Sequence, residues 1–216
     1  MESLLDRITV NTQNSVRIAS NISTIYIDPL EIKEASHDAD YILITHDHYD
    51  HFSVDDIGKL AKDDTILVVP EKMASSAKKL PIQVGQIETV RPGNQYVFAG
   101  LKLETVHAYN IIKPFHPKSA GWVGYVLEID GKKIYIAGDT DATKEAKEVD
   151  CDIAIIPIGG TYTMDPKKAA EYINELNPEV VIPVHYGSIV GSASDATIFK
   201  DKVNPSINVA IKLEFH

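Results

Sequence analysis

The segment 45–51 constrains this chain more than any other stretch, because it reads Thr-His-Asp-His-Tyr-Asp-His directly after a short apolar run. In a loop that leaves a strand, His46 and His48 can point the same way, since side chains of an extended chain alternate. Asp50 and His51 can then turn toward a second position. Three imidazoles with a carboxylate among them suit a borderline transition ion such as zinc. The segment therefore predicts a metal site at the end of a strand.

A polar surface turn that happens to be rich in histidine is the alternative interpretation of this segment. Multiplying the residue frequencies of the chain gives a chance match to His-x-His-x-Asp-His of roughly one in a thousand, which favours the metal site. A motif match still carries a false-positive risk. The interpretation therefore depends on whether further ligand-type residues follow later in the chain.

Such residues do follow. The segment 104–107 ends in His107, 134–140 contains Asp139, and 180–187 contains His185. Together with His-x-His-x-Asp-His, these segments and their order resemble the metallo-β-lactamase-fold hydrolases over nearly the whole chain. Within that family, the segments 137–141, 159–165 and 183–187 look like the short bacterial and archaeal branch related to ascorbate-6-phosphate lactonase.

The resemblance implies two divalent metal ions, with zinc as the predicted ion and manganese or iron as alternatives. Asp139 would bridge the two ions. The other ligands would form two groups of three, namely His46, His48 and His107 for one ion, and Asp50, His51 and His185 for the other. Asp50 would also orient the attacking hydroxide and pass a proton to the leaving group. In the family, an aspartate placed like Asp28 supports the metal loop through hydrogen bonds.

Hydrolysis of a small, anionic ester or lactone by a metal-bridged hydroxide is the function that this resemblance favours. A phosphodiesterase of a small nucleotide or lipid headgroup is an alternative, because the same hydroxide attacks phosphorus as readily as a carbonyl carbon. A metal-binding regulator without turnover is a third interpretation from a different class.

Predicted substrate contacts lie on loops that leave strands next to the ligands: His116, Lys118, Tyr162, Thr163, Tyr186 and Ser188. The loop 108–121 carries Lys113, His116 and Lys118 but no acidic residue, which suggests an anion clamp. The alternative is that both lysines are solvated surface groups. Tyr162 and Tyr186 could likewise pack their loops and bond to backbone through their hydroxyls.

The net charge of −10 disfavours nucleic acid as a partner, since the field of the molecule repels phosphodiester backbones. No apolar run is long enough to span a bilayer, and the first residues lack the layout of a signal peptide. The one cysteine, Cys151, cannot form an internal disulfide, and we interpret it as a core or surface thiol. We therefore expect a cytoplasmic protein with a small-molecule substrate and no membrane partner. The sequence does not decide whether the protein forms a homo-oligomer.

Each half of the chain opens with short β-rich runs and continues with strand–helix units. Ser53 and Asp56 resemble a capping box, and Asp165-Pro166 is a typical helix start, so helices are predicted over 53–62 and from 166 until 177. We predict an α/β (α+β) fold, a four-layer αββα sandwich of the metallo-β-lactamase type. Residues 1–216 would form a single domain of two similar halves, with all ligands on one rim.

Overall fold

The computed structural model describes residues 3–213, which form two β-sheets and the helices that cover them. The strands are β1 (Ile8–Val10), β2 (Val16–Ala19), β3 (Thr24–Ile27), β4 (Tyr41–Leu43), β5 (Ile66–Pro70), β6 (Gln86–Val90), β7 (Gln95–Phe98), β8 (Leu101–His107), β9 (Val123–Ile129), β10 (Lys132–Ile136), β11 (Ile153–Pro157), β12 (Val180–Val184) and β13 (Asn208–Val209). The α-helices are α1 (Val54–Leu60), α2 (Ala74–Ala77), α3 (Lys144–Lys147), α4 (Pro166–Leu176) and α5 (Asp195–Lys200). Short 3-10 turns span Leu5–Arg7, Glu71–Met73 and Lys118–Ala120.

The two sheets repeat one pattern of strand directions. The first sheet has the order β1-β2-β3-β4-β5-β6, and the second has the order β13-β12-β11-β10-β9-β8-β7. Neighbouring strands are antiparallel from β1 through β3 and from β7 through β10. They are parallel from β3 through β6 and from β10 through β13. Each half of the chain thus passes from an antiparallel meander to parallel strands. A single domain over 1–216 stays a prediction.

Strand β4 shows how the sheets become the inner layers of a sandwich. Tyr41 and Leu43 belong to the core between the sheets, whereas Ile42 and Ile44 pack with α1 and α2 on the outer face. All four side chains are buried, because alternate residues of a strand point to opposite faces and both faces are covered. Helices α3, α4 and α5 contribute buried residues to the core of the second sheet. The predicted αββα sandwich is confirmed.

The two predicted helix starts are also confirmed. The Ser53 hydroxyl accepts a hydrogen bond from the Asp56 backbone N–H at 3.4 Å, and α1 begins at the next residue. The Asp165 carboxylate accepts from the N–H groups of Lys167 and Lys168 at 3.1 and 3.0 Å. These bonds satisfy N–H groups that the first turn of a helix leaves without a partner. Within residues 3–213, every helix is too short or too polar to cross a membrane.

Parallel strands place several loops at one edge of the sandwich. Asp28 follows β3, His46 follows β4, Asp139 follows β10 and His185 follows β12. The sheets are joined at this edge, since the Tyr125 hydroxyl donates to the Ile44 carbonyl at 2.7 Å. The polar residues that follow these strands therefore meet between the two halves.

The thiol of Cys151 should react slowly while the protein is folded. Burial raises the pKa of Cys151 to about 12, and the neighbouring Asp150 and Asp152 add to the effect. Because the thiolate is the reactive form, we expect alkylation by iodoacetamide at pH 8 to be about tenfold to a hundredfold slower than in guanidinium-unfolded protein. Mass spectrometry over a time course measures both rates. Equal rates would show that the thiol is open to reagent in the folded state.

Candidate metal centre

The first cluster of ligand-type atoms comes from His46, His48 and His116, which all lie within 4.8 Å of one another. His46 Nε2 is 3.1 Å from His48 Nδ1. The rings of His46 and His48 are each about 5 Å from the ring of His116, with centroid distances of 5.2 and 4.9 Å. Three imidazoles that converge in this way can hold one divalent ion.

The second cluster comes from Asp50, His51 and His185, whose ligand-type atoms also lie within 4.8 Å of one another. The Nε2 atoms of the two histidines are 3.3 Å apart. Asp50 Oδ2 is 3.3 Å from His185 Nε2 and 3.5 Å from His51 Nε2. This cluster contains the three residues that the resemblance assigned to the second ion.

Asp139 lies between the two clusters and presents one oxygen to each. Its Oδ2 is 3.2 Å from His116 Nε2 and 4.0 Å from His46 Nε2, on the side of the first cluster. Its Oδ1 is 3.3 Å from His185 Nε2 and 3.5 Å from His51 Nε2, on the side of the second. A carboxylate in this position is suited to bridge two ions.

The structure does not bring His107 into either cluster, and the sequence-based assignment of this residue is corrected. His107 ends β8, where it pairs with Val123 of β9. Its ring faces the ring of Tyr109 at 6.4 Å, and Lys118 and Glu145 are the charged groups near it. His116, which the sequence suggested as a substrate contact, occupies the third position of the first cluster.

A short closed loop carries His116 into the site. The Asn110 backbone N–H donates to the His116 carbonyl at 2.7 Å, and the Asn110 Oδ1 lies 3.0 Å from His116 Nδ1. The Asn110 Nδ2 in turn donates to the Tyr162 carbonyl at 2.9 Å. The other ring nitrogen of His116, Nε2, faces Asp139 at 3.2 Å. A hydrogen bond such as that to Asn110 fixes the orientation of a metal-binding imidazole.

Asp28 supports the second cluster from behind. Its carboxylate accepts four hydrogen bonds at 2.6–2.7 Å, from the Thr45 N–H, the Thr45 hydroxyl, the Asn14 amide and His51 Nδ1. Asp28 also lies close to His46 and His51 in a third group of ligand-type atoms. Since its oxygens are already occupied by donors, Asp28 is placed to orient His51, as the sequence suggested.

Contacts from the turn 11–14 complete the site. The His185 N–H donates to the Gln13 carbonyl at 2.9 Å, while His185 itself has a left-handed backbone with a φ of 56°. Asn14 is one of the donors to Asp28. No local sequence signal identified these contacts, because they join segments that are far apart in the chain.

Burial and neighbouring charge set the protonation of the clustered groups. Burial lowers the pKa of His46 well below its usual value, and the charge at His51 adds to this. Burial raises the pKa of Asp139, but the imidazoles of His185 and His51 outweigh it and hold that pKa well below its usual range. Burial also raises the pKa of Asp50, and hydrogen bonds from His185 and His51 again outweigh it. Burial lowers the pKa of His51, but the carboxylates of Asp139 and Asp28 outweigh it and hold that pKa well above its usual value. Because a metal ligand must be deprotonated, metal binding would displace a proton from this imidazole.

The donor set fits two divalent ions. Asp139 Oδ1 is buried and has no hydrogen-bond partner among residues 3–213. The Nδ1 atom of His51 is hydrogen-bonded to Asp28, so Nε2 is the nitrogen that faces His185 Nε2 and two carboxylates. Imidazole nitrogens and carboxylate oxygens that converge at 3.1–3.5 Å form the kind of donor set that holds a cation. Five imidazoles and two carboxylates suit borderline dications such as zinc.

Trp122 is a further residue of the site that sequence reasoning missed. Its half-buried ring lies 4.8 Å from the ring of His48, 5.0 Å from that of His46 and 5.4 Å from that of His116. Trp122 directly precedes β9, and nothing in the local sequence marks its position beside the histidines. Because the chain has one tryptophan, its fluorescence reports on this cluster.

The remaining predicted substrate contacts fall into different places. Tyr162 is half-buried, and its ring meets that of Phe115 at 4.8 Å beside the His116 loop. Ser188 is exposed three residues beyond His185. Tyr186 and Thr163 are fully buried, and Tyr186 belongs to the main core, as the packing alternative expected.

Lys118 points away from the predicted clamp. Its ammonium group pairs with the Glu145 carboxylate and lies 4.9 Å from the centre of the Tyr109 ring. The hydrogen bond from Lys118 lowers the pKa of Glu145 to about 2. Lys113 donates to the backbone carbonyls of Gly160 and Thr163. Both lysines of the loop are therefore engaged within the protein.

Comparison with known proteins assigns this arrangement to a family. Residues 7–185 match the family described as beta-lactamase superfamily domain. The chain is 31% identical to a "UPF0173 metal-dependent hydrolase" of Lysinibacillus sphaericus, over 92% of this chain and 93% of that protein. A "UPF0173 metal-dependent hydrolase" of Thermococcus onnurineus is 35% identical, over 81% of this chain and 79% of that protein.

A solved structure agrees with these sequence matches. The crystal structure of a putative metal-dependent hydrolase from Parabacteroides distasonis superposes with a TM-score of 0.79 at 31% identity, over 95% of this chain and 91% of that chain. The chain belongs to the beta-lactamase superfamily, as a metal-dependent hydrolase of the UPF0173 family.

Proposed function

We propose that the protein is a dinuclear hydrolase of small esters or lactones. The observation that carries this proposal is the position of Asp139, whose two oxygens face two different clusters of three ligand-type residues. One ion would be held by His46, His48 and His116, and the other by Asp50, His51 and His185, with Asp139 shared. Zinc suits these donors, and manganese or iron are the other ions to test.

Two bound ions would supply a water activated as a nucleophile at neutral pH and would polarise the bond under attack. The roles of the protein's own side chains in this reaction follow from their positions. Asp50 is the carboxylate of the second cluster that retains some exposure, and it is held anionic by His51 and His185. We assign it the task of orienting the attacking water and passing a proton to the leaving group. Asp28 and Asn110 keep His51 and His116 in fixed orientations.

The charge of the substrate is open to experiment, because the residues that suggested an anion clamp have other contacts. Lys118 pairs with Glu145, Lys113 donates to two carbonyls, and His116 faces Asp139. The resemblance of several motifs to ascorbate-6-phosphate lactonase nevertheless supports testing a phosphorylated lactone. A net charge of −10 continues to favour a small-molecule partner over nucleic acid.

A substrate panel tests this proposal. Protein loaded with zinc, manganese or iron is assayed on neutral and anionic lactones, on aryl esters and on a chromogenic phosphodiester. Hydrolysis of esters or lactones that stops on chelation supports the proposal. Turnover of the phosphodiester alone would indicate a phosphodiesterase. Metal binding without turnover of any member would favour a metal-binding regulator.

Metal content gives a second test. We expect about two divalent ions per chain, because seven ligands are too many for one tetrahedral site. We also expect chelation to lower the melting temperature, since ions that bind the folded state stabilise it. Elemental analysis and differential scanning fluorimetry measure the two quantities. A single ion at saturation, or a melting temperature that chelation leaves unchanged, would contradict a dinuclear centre.

A further inference from the structure

Residues 111–115 form a loop whose flanking residues, Asn110 and His116, are hydrogen-bonded to each other. Two hydrogen bonds join Asn110 to His116, so residues 111–115 form an excursion that begins and ends beside the first metal cluster. Lys113 ties one side of the excursion to Gly160 and Thr163. The loop is thus held in place at the rim of the site.

The side chains that this loop presents to solvent are apolar. Ile112 is 92% exposed and Phe115 is 45% exposed, and Ile111 is exposed as well. The one charged side chain of the excursion, Lys113, turns inward to two carbonyls. Large exposed apolar groups that cluster in this way mark binding surfaces on soluble proteins.

Exposed or half-exposed aromatic side chains also lie beside the other ligands. Tyr49, between His48 and Asp50, is 72% exposed. Trp122 is half-exposed against the ring of His48, and His48 is itself partly exposed. The first metal cluster is therefore bordered by aromatic groups, and the apolar loop 111–115 leads directly into its ligand-type residue His116.

We propose that the substrate carries an apolar group, an alkyl or aryl chain, which packs on Ile112 and Phe115 while its reactive bond lies at the metal centre. This inference rests on the proposed hydrolase function and names its substrate class. The occupant is a substrate because the loop is anchored by a ligand-type residue, His116, and its tip lies within five residues of that anchor. A second copy of the chain on the same surface would cover the approach to His48.

Binding of n-alkyl carboxylates from acetate to octanoate tests the inference without requiring turnover. Zinc-loaded protein is titrated by calorimetry, with Trp122 fluorescence as a second readout. We expect affinity to rise about two- to fourfold for each added methylene group, as for burial of an alkyl chain. Ile112→Ser and Phe115→Ser should flatten this dependence while acetate affinity stays unchanged.

Ile22→Ser is the matched control. Ile22 is 91% exposed in the turn that precedes β3, whereas the metal site follows the end of that strand. This variant should keep the full dependence on chain length. An affinity that does not depend on length, or one that is equally steep in all variants, would overturn the inference.

Two further outcomes separate this inference from its alternatives. If the wild type is a dimer in sedimentation velocity, Ile112→Ser is a monomer, and the dependence on length is the same in both, the surface is an interface between copies and the inference fails. If binding depends on length but no ester or lactone is hydrolysed, the apolar site stands and the proposed activity fails.

Discussion

Asp139→Asn should lose bound metal and lower kcat/KM for any hydrolysed substrate by about a thousandfold or more. Asp139 offers one oxygen to each cluster and is held anionic by the surrounding imidazoles. An amide of the same shape carries no charge to offset two dications, so both ions should bind more weakly. The fold should persist, because β10 before it is buried in the core independently of the carboxylate.

Elemental analysis, steady-state kinetics and far-UV circular dichroism together measure this expectation. Asp64→Asn makes the same chemical change at an exposed position and should retain both metal and activity. A variant at Asp139 that keeps two ions and normal turnover would show that this residue is a structural turn aspartate. Loss of the circular dichroism spectrum would instead assign it a role in folding.

His116→Ala should remove about one ion per chain and lower kcat/KM by at least a hundredfold, whereas His107→Ala should change both by less than about threefold. The reason is geometric. His116 Nε2 faces Asp139 at 3.2 Å inside the first cluster, while the His107 ring lies beside Tyr109. The two variants remove the same side chain from residues nine positions apart, so each serves as the control for the other.

Zinc titration followed by Trp122 fluorescence gives a readout that does not depend on activity, since the ring of Trp122 contacts those of His46, His48 and His116. One of two binding phases should disappear in His116→Ala and persist in His107→Ala. The reverse result would restore the assignment that sequence alone suggested. Loss of the same binding phase in both variants would mean that either substitution rearranges the whole loop 108–121.

Local sequence patterns determined the framework of this protein. Apolar strands such as β4 and β5, which are buried on both faces, read as continuous Ile, Leu and Val runs. Ser53 and Asp165 marked helix starts because an N-cap acts within three residues of itself. Strand β6 has no such signal, since its polar pattern at the edge of the first sheet resembles a loop until β5 is beside it.

The sequence also predicted the residues that follow the ends of strands. Asp28, His46, Asp139 and His185 each come within three residues of the end of a buried strand, and parallel strands bring such positions to one edge of their sheet. Asp50 and His51 lie in the same loop as His46, so their proximity is local. These residues could be predicted from sequence because each lies in a loop that a rigid strand positions.

Tertiary structure decided which histidine completes the first cluster. His107 also ends a strand, but its side chain faces Tyr109, and the strand does not carry it to the metals. His116 reaches them because Asn110 bonds to the Tyr162 carbonyl and Lys113 to Gly160, contacts between segments about fifty residues apart. The pairing of Lys118 with Glu145, and the solvent exposure of Ile112, have the same origin. Each depends on where a distant segment packs, and no local pattern of residues specifies that.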